Sequence, residues 1–316
     1  MPNSTAWKTD NYKFVGKAFD WSYKNMMNKL LMIIGETETD SATYQLAGAG
    51  GYGEMQEYDG DNLNQVQMKR AFNTVLRPKE YTSTVILHRK QCLNDKSGEC
   101  KKVGKRLGQS AAMTVYLHCL RMFAGAFNPN LLGGDGLPWA STKHWVASKG
   151  SDGRIFVPDP DAGTYSNLVK LELNVENIVK VQTMGNKMLT PDGLPLAANF
   201  NMLLVSPENE GEAKKICGEG AKIRPTRNPD DDTNAANPLY DMHYMVIGGG
   251  ADGLTGKQWA LCDPELMKEI CQLVFNARPQ VLNHELDNPL KDAYTGYADF
   301  AVGWGDARQI IFSTGA

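Results

Sequence analysis

The chain has 316 residues, 33 basic and 36 acidic, and its formal net charge of -3 provides no global attraction to nucleic acid or to an anionic membrane. Leu, Ile, Val and Phe make up only about a fifth of the residues, close to the level below which chains fold poorly alone, so we expect a thin core that neighbouring molecules help to stabilise. No run approaches the roughly 20 apolar residues of a membrane span, and residues 1–20 lack the layout of a signal peptide, which predicts a soluble cytoplasmic protein.

The six cysteines are scattered along the chain without a regular framework, which favours reduced thiols. None of their spacings matches a Cys-x2-Cys zinc pattern, and no His-x3-His or His-x4-His pair completes a site. The sequence therefore predicts no metal and no cofactor. The cysteines are Cys92, Cys100, Cys119, Cys217, Cys262 and Cys271.

The first half of the chain predicts two helices separated by an extended region. Apolar residues three, four or seven apart predict an amphipathic helix over residues 11–34, which Gly35 closes. The β-branched and aromatic run from Tyr81 to His88 predicts a strand. With an extended segment near residues 55–58, it suggests a long two-stranded ribbon. Apolar residues nearly all four apart predict the longest helix, from Val103 to Phe127.

The second half mixes helices and short strands, which predicts an α+β fold. The Gly-, Pro- and Asp-rich residues 129–160 and the segment 225–238 are typical of loops. Helices are predicted at residues 175–188, with Asn174 as the N-cap, and at residues 209–217. The predicted strands are residues 201–205, 244–247, 258–261, 271–275 and 300–304.

Two glycine-rich segments could each bind a ligand or serve only as flexible backbone. Gly48, Gly50 and Gly53 satisfy Gly-x-Gly-x-x-Gly, but the residues that follow lack helical periodicity. We interpret Gly48, Gly50, Gly51 and Gly53 as a hinge rather than a dinucleotide site. The run from Gly248 to Gly253 could cradle an anion, although a wide turn is the simpler interpretation.

The acidic clusters and the histidines nominate no site. Asp159 with Asp161, and the aspartates at 230–232, do not fill the spaced ligand loop of a calcium site. None of the histidines lies in a motif that names a catalytic partner, so an enzyme has no nominated residues. His118 and Cys119 are adjacent on the long helix and therefore do not face each other. We expect a protein that is not an enzyme.

The segment from Gly133 to His144 is the most informative part of the sequence. It follows the long predicted helix and contains a Gly-Asp-Gly turn, an aromatic residue, small hydroxyl residues and a His. This signature resembles the exit from the spine helix in the Mu-like branch of tailed-phage major head proteins. Other segments resemble the same family in the same order: 52–55, 79–81, 89–90 with Asp95, 194–196, 203–207 and 237–238.

The resemblance implies the Hong Kong 97-type capsid fold and a division of the chain. Residues 1–42 would be an N-terminal arm, and residues 43–92 an extended E-loop ribbon. Residues 93–164 would form the peripheral domain with the spine helix, and residues 165–290 the axial domain. Residues 291–316 would return to the peripheral domain.

The same resemblance implies a shell subunit that forms hexamers and pentamers of an icosahedral head around double-stranded DNA. Its partners would be scaffolding and portal proteins and a possible decoration protein, with assembly in the host cytoplasm, a place in the virion and no membrane partner. The chain starts without a scaffold-like prosegment, so we expect a separate scaffold and no proteolytic trimming.

Four basic residues before and within the long helix allow two interpretations. Lys101, Lys102, Lys105 and Arg106 lie near its N-terminal end, where cations are disfavoured by the helix dipole. A solvated face is one explanation. Weak, non-specific contact with the packaged DNA is the other.

Two alternatives to the phage head remain open at this stage. An encapsulin-like nanocompartment would use the same fold to enclose enzymes instead of a genome. A soluble enzyme that binds a nucleotide at the Gly-rich loop belongs to a different class of function.

Overall fold

A computed structural model describes most of the chain. The described residues are 16–21, 23, 27, 29–49, 55, 70–90, 99–150, 156–217, 223–224, 235–239, 241–284, 286 and 290–315.

The described residues contain nineteen strands, four α-helices whose two ends are both described, and further helical residues at 16–21, 23, 27 and 89–90. The strands in the first half are β1 (Gly35–Glu38), β2 (Tyr44–Ala49), β3 (Arg70–Leu76), β4 (Lys79–His88), β5 (His144–Trp145), β6 (Ser148–Gly150), β7 (Phe156–Pro158), β8 (Thr164–Tyr165) and β9 (Leu168–Val169). Those in the second half are β10 (Met202–Val205), β11 (Ile223–Arg224), β12 (Ala235–Ala236), β13 (His243–Val246), β14 (Gly248–Gly249), β15 (Asp252–Gly253), β16 (Trp259–Cys262), β17 (Cys271–His284), β18 (Lys291–Trp304) and β19 (Ile310–Ser313). The helices are α1 (Glu99–Ala124), α2 (Val175–Asn186), α3 (Glu210–Ile216) and α4 (Pro264–Ile270).

The chain divides into two units. Unit 1 contains residues 1–44, 76–119 and 272–302, and unit 2 contains residues 45–75, 120–271 and 303–316. The helix α1 therefore contributes residues up to Cys119 to unit 1 and its last turn to unit 2. The strand β18 is divided in the same way after Val302.

Unit 1 is built on a four-stranded sheet in the order β1-β17-β18-β4. The strand β1 runs parallel to β17, and β4 runs antiparallel to β18 along all ten of its residues. One apolar cluster of this unit consists of Phe19, Leu87, Val103, Leu107, Val281 and Tyr294, and further buried residues such as Leu273, Phe275 and Phe300 lie in β17 and β18. Gly108 allows close approach of the residues around Phe19 to α1, because a Cβ at Gly108 would lie 2.5 Å from the Phe19 carbonyl oxygen.

Unit 2 is built on a five-stranded sheet in the order β13-β10-β16-β19-β9. Every residue of β10, β16 and β19 is buried. This is typical of strands covered on both faces. The main core includes Ile178 and Val181 of α2, Ala213 and Ile216 of α3, and Leu203, Val205, Trp259, Leu261 and Ile311 of the sheet.

Most of the predicted elements are confirmed, with shifted ends. Helix α1 confirms the longest predicted helix, and a 3-10 turn at Gly125–Phe127 extends it. Helix α2 starts as predicted, because the Asn174 side chain accepts a hydrogen bond from the Asn177 amide at 2.8 Å. Helix α3, strand β10 and the turn between β14 and β15 are likewise confirmed.

Two predictions in the N-terminal half need correction. Residues 16–21, 23 and 27 are helical, but a 3-10 turn at Leu30–Met32 ends that region. Gly35 therefore begins strand β1 and does not close a helix. The predicted strand Tyr81–His88 is confirmed within β4, but it pairs with β18 and not with a ribbon partner. The ribbon strands are β2 and β3, and residues 56–58 lie outside the described residues.

The two longest strands extend well beyond their predicted bounds. The predicted strand 271–275 ends before Pro279, yet β17 continues through this proline to His284. The register of β1 ends at Phe275, so β17 has no β1 partner at Pro279, which is where a sheet tolerates proline. The predicted strand 300–304 likewise misses the first half of β18. Gly296 lies in that half and is buried within the strand.

Candidate functional site

The Gly-Asp-Gly loop, residues 133–144, begins with a tight turn. The Gly136 amide donates to the Gly133 carbonyl oxygen at 3.1 Å, and the Gly133 amide donates to the Leu137 carbonyl oxygen at 2.8 Å. Gly136 adopts a φ of 76°, which favours glycine. Oδ1 of Asp135 accepts a hydrogen bond from the Leu137 amide at 3.1 Å, so the aspartate holds its own turn.

Two glycines allow this loop to approach its neighbours closely. A Cβ at Gly133 would lie 2.1 Å from the ring of Trp304, and one at Gly134 would lie 2.7 Å from the carbonyl oxygen of Asn73 in β3. Both distances are far below van der Waals contact. The glycines are therefore required for packing, whereas Gly136 is required for backbone conformation.

His144 lies at the end of the loop, in β5, and is fully buried. Its Nδ1 lies 2.6 Å from Oδ2 of Asp135, and its Nε2 lies 3.1 Å from the carbonyl oxygen of Trp139. The ring stacks on Tyr165 with 5.3 Å between centroids. An Asp–His pair can act as a general base, but this ring is closed to a substrate. We therefore assign it a structural role.

Asn167 connects the loop to the C-terminal segment. Its Nδ2 donates to the carbonyl oxygens of Trp139 at 2.7 Å and Ala307 at 3.1 Å. Its Oδ1 accepts a hydrogen bond from the Ser141 amide at 2.9 Å. Because the residue is fully buried, each of these bonds is shielded from water.

Arg308 completes the polar contacts of this region. Its Nη1 donates to Oδ2 of Asp306 at 2.7 Å, and Nη2 donates to the carbonyl oxygen of Val146. The guanidinium lies 4.9 Å from the ring centroid of Tyr165. Burial, and after it the Asp306 carboxylate, raises the pKa of Tyr165 well above its ordinary value. We call Asp135, His144, Tyr165, Asn167, Asp306 and Arg308 the buried polar cluster.

An aromatic cluster lies beside these polar residues. The Trp139 ring stacks on Trp304 with 5.5 Å between centroids and 8° between planes. Phe123 of α1 and Phe312 of β19 also contact Trp139. The loop thus fixes the end of α1 against the C-terminal strand through large apolar contacts.

The predicted basic residues all lie in the first turns of α1. Lys102, Lys105 and Arg106 are exposed, and nothing is described of the Lys101 side chain. The Lys105 ammonium lies 5.8 Å from the ring centroid of Trp21, whose side chain is 61% exposed. The contact is a cation–π pair at the surface. It explains one of the cations near the helix start, and DNA contact by the four stays a prediction.

The predicted hinge falls only partly within the described residues. Gly48 lies in β2 and pairs within the ribbon with β3. Gly50, Gly51 and Gly53 lie outside the described residues. The hinge prediction and the nucleotide alternative therefore stay untested.

No other described cluster has the composition of a catalytic or metal site. Within the described ranges, no group of three or more His, Cys, Asp or Glu residues is placed to hold a metal ion. Asp159 instead caps the 3-10 helix Pro160–Ala162, accepting a hydrogen bond from the Asp161 amide at 3.1 Å, and residues 230–232 lie outside the described residues. Among the described cysteines, Cys119, Cys217, Cys262 and Cys271 are buried and form no disulfide. None of the described helices is long and apolar enough to span a membrane.

Unit 1 presents an open surface of a different kind. Strand β4 ends the four-stranded sheet in the described part of the chain. Most of its residues are exposed, including Ile86 at 51%. A shallow groove lies between α1 and strands β4 and β18, and its lining includes Tyr81, Ser110 and Tyr297.

Sequence reasoning found His144 and Asp135 but missed Tyr165, which stacks on the His144 ring, and the neighbouring polar residues. Asn167, Asp306 and Arg308 lie in segments with no motif, and Arg308 is 162 residues from the carbonyl that it binds. The only signal was the acid-base spacing of Asp306 and Arg308 in an otherwise apolar C-terminal segment.

Similar proteins were found by comparing structures and not by comparing sequences. No protein-family model matches the chain, and no curated protein matches it. The capsid of Ralstonia phage GP4 is similar over 89% of this chain and 86% of that chain, with 11% identity and a TM-score of 0.53. The mature capsid of bacteriophage PhiM1 is similar over 89% and 86%, with 13% identity and a TM-score of 0.52.

A virus-like particle from Pyrococcus furiosus gives a third likeness. It covers 94% of this chain and 98% of that chain, with 8% identity and a TM-score of 0.50. At these identities the likeness establishes the fold. The predicted α+β class and the Hong Kong 97-type capsid fold are therefore confirmed.

Proposed function

We propose that this chain is the major capsid protein of a tailed double-stranded DNA phage. It assembles into hexamers and pentamers that form an icosahedral head around the genome, and it is a structural protein rather than an enzyme. The observation that carries the proposal is the fold shared with two phage capsids over nine-tenths of this chain.

The surface of unit 1 supports self-assembly. An exposed ten-residue edge strand is a hazard for a protein that stays monomeric, because its free N–H and C=O groups invite pairing. A neighbouring subunit that covers β4 removes that hazard. The large exposed side chains of Trp21 and Ile86 are also expected to gain burial in a shell.

The sequence resemblance supports a finer assignment. We propose membership of the Mu-like branch on the basis of the Gly-Asp-Gly loop. Residues 1–42 then form the N-terminal arm, 43–92 the E-loop, 93–164 the peripheral domain, 165–290 the axial domain, and 291–316 the return to the periphery. The glycines at 48, 50, 51 and 53 act as the hinge of the E-loop.

The proposed partners follow from the same assignment. They are other copies of this chain, scaffolding and portal proteins, and a decoration protein, with assembly in the host cytoplasm and a final location in the virion.

The proposed DNA contact is testable apart from assembly. Lys101, Lys102, Lys105 and Arg106 are replaced jointly by Gln, and genome retention is measured against salt concentration. We expect weaker retention and a smaller salt dependence, because fewer phosphates are neutralised. A matched control replaces Lys143, Lys180, Lys187 and Lys257 of unit 2. Unchanged retention in the first variant contradicts the DNA-facing assignment.

The decisive experiment expresses the full chain alone and with a candidate scaffold. Sedimentation and negative-stain electron microscopy then report its assembly state. Shells, tubes or capsomer rings are the expected result. A uniform small monomer under both conditions contradicts the proposal and favours the soluble enzyme, which a thermal shift with common nucleotides then tests.

A second candidate is an encapsulin-like shell without a genome. The likeness to the virus-like particle from Pyrococcus furiosus favours this alternative. Particle contents distinguish the two functions. Nuclease-protected DNA in particles from an infected or induced host supports the phage head, whereas enclosed protein without DNA supports the nanocompartment.

A further inference from the structure

The ribbon of β2 and β3 contacts two different segments of unit 2 at its base. On β2, the Leu46 side chain lies against the C-terminal segment, where a Cβ at Gly305 would be 2.9 Å from the Cγ of Leu46. On β3, a Cβ at Gly134 would be 2.7 Å from the carbonyl oxygen and 2.9 Å from the backbone nitrogen of Asn73. Carbon atoms pack at about 3.5–4.0 Å, so neither position leaves room for a side chain. Each strand therefore has its own support, and each support is a glycine.

The two supports are held in place and connected to each other. The Gly305 amide donates a hydrogen bond to the carbonyl oxygen of Ile270, at the end of α4, at 3.0 Å. Gly134 lies in the tight turn that begins at Gly133. The ring of Trp304, which immediately precedes Gly305, lies against Gly133. A displacement of one support therefore disturbs the other.

The base of the ribbon is also buried. Leu46 of β2 is 6% exposed, and Phe72, which precedes Asn73 in β3, is 8% exposed. An isolated two-stranded ribbon is marginally stable in water. Burial at the base thus supplies stability that pairing of the two strands alone does not provide.

We propose that Gly134 and Gly305 clamp the base of the ribbon and set the direction in which the ribbon leaves unit 2. Two supports on two strands resist rotation, because moving one strand away from its support presses the other strand into a close-packed contact. A bend of the ribbon then has to occur between Leu46 and Asn73 in the chain, beyond the clamp, and not at the base.

The clamp concerns one unit of a single chain, so it does not rest on the proposed function. Its consequence for a shell does rest on that function. A ribbon held in one direction meets a neighbouring copy at a fixed angle, and the clamp then contributes to the curvature of the shell. The clamp is tested first on the unassembled chain, so that its failure and a failure of the proposed function give different results.

Hydrogen exchange of the unassembled full chain tests the clamp. Gly134→Ala and Gly305→Ala are compared with Gly211→Ala, the control, because a Cβ at Gly211 of α3 meets no atom within 4 Å. We expect protection of the amides of residues 72–75 to fall on the order of tenfold in either clamp variant, because overpacking loosens the base locally. The amides of β10 should keep their wild-type protection. An equal fall in β10, no fall at residues 72–75, or no protection there in the wild type overturns the proposal.

Second substitutions separate the two supports. A Cβ at Gly305 would meet the Leu46 side chain most closely, whereas the atoms nearest to a Cβ at Gly134 all belong to the backbone of Asn73. In a Leu46→Ala background, Gly305→Ala should therefore lower protection little further. In an Asn73→Ala background, Gly134→Ala should keep its full effect. Equal behaviour of the two pairs contradicts the clamp, and the Leu46 pair keeps the test available if Gly134→Ala does not fold.

Electron microscopy of assembled particles tests the consequence. We expect Gly305→Ala to shift or broaden the distribution of particle diameters and Gly211→Ala to match the wild type. Unchanged diameters in a variant whose ribbon base exchanges faster overturn the effect on curvature. Absence of particles from the wild-type chain contradicts the proposed function instead.

Discussion

The central strands of unit 2 and the edge strand of unit 1 differ in how far they are buried. In unit 2, β10, β16 and β19 are buried along their whole length. In unit 1, the edge strand β4 is mostly exposed, although its neighbour β18 is mostly buried. We expect two tasks to follow from this difference: the buried strands of unit 2 determine stability, and the exposed edge of unit 1 determines assembly.

The largest expected effect tests this separation with one residue type. Ile311→Ala in β19 removes a side chain that is 0% exposed within the unit 2 core. It should lower the free energy of unfolding by about 2–5 kcal/mol, because both burial and packing are lost. Urea denaturation of the unassembled chain measures this change.

The matched variant Ile86→Ala makes the same chemical change in β4, where the side chain is half exposed. We expect less than about 1 kcal/mol loss of stability, together with weaker assembly measured by sedimentation. Equal destabilisation by the two variants, or normal assembly of Ile86→Ala, contradicts the division of tasks.

The next effect concerns the loop glycines of unit 2. Gly133→Ala places a methyl group against the Trp304 ring, so we expect a loss of about 1–3 kcal/mol from overpacking. Gly136→Ala meets no atom but must adopt a φ of 76°, which costs about 1–2 kcal/mol. Thermal unfolding compares the two. Adding Trp304→Leu should recover part of the loss caused by Gly133→Ala and none of the loss caused by Gly136→Ala. A failure of that recovery argues against the steric explanation.

A smaller effect compares two tyrosines at alkaline pH. The pKa of buried Tyr165 is raised above its unfolded value of about 10. A raised pKa means that this contribution to stability is present below pH 10 and is lost as pH rises further. Tyr165→Phe should therefore flatten the fall of stability above pH 10, measured by denaturation at several pH values.

Tyr297 in unit 1 provides the comparison. Its hydrogen bond to Glu80 at 2.9 Å raises its pKa as well. Because the group is open to solvent, we expect Tyr297→Phe to leave the pH profile nearly unchanged. If Tyr297→Phe changed the pH profile of stability more than Tyr165→Phe does, the loss of stability at alkaline pH would be assigned to unit 1 and not to unit 2.

The smallest effect concerns the surface pair of Lys105 and Trp21. Lys105→Met removes the cation and keeps the length of the side chain, so we expect a loss of at most about 1 kcal/mol. The exposed lysine of unit 2, Lys143→Met, is the control. Thermal unfolding of both variants at low and high salt shows whether the pair stabilises unit 1, and a loss above 2 kcal/mol would show that Lys105 has a role beyond this contact.

The sequence revealed those elements whose causes are local. Helix α1 follows from apolar residues four apart. The start of α2 follows from Asn174, whose side chain accepts a hydrogen bond from the Asn177 amide in the first turn. Strands β17 and β18 were underestimated, because Pro279 and Gly296 act locally as breakers. Strand β17 accepts Pro279 because β1 ends before it, and β18 accepts Gly296 because that residue is buried between neighbouring strands. Both conditions depend on tertiary structure.

The candidate site shows the same limit. Gly133, Asp135 and His144 were recognisable as a motif because they lie within twelve residues. Their roles were not, since the long-range groups that contact them belong to Trp304, beside Gly133, and Tyr165, on the His144 ring. Such long-range partners leave no periodicity in a sequence.

The stacked pair of Trp139 and Trp304 gives the protein an intrinsic optical probe. Two nearly parallel indoles in a fixed arrangement, one fully buried and one partly buried, contribute strongly to near-ultraviolet circular dichroism. One ring belongs to the Gly-Asp-Gly loop and the other to the end of β18, so their dichroic band reports that connection without a label. Stopped-flow dichroism can therefore time the closure of this joint during refolding or assembly, and distinguish it from the slower growth of light scattering.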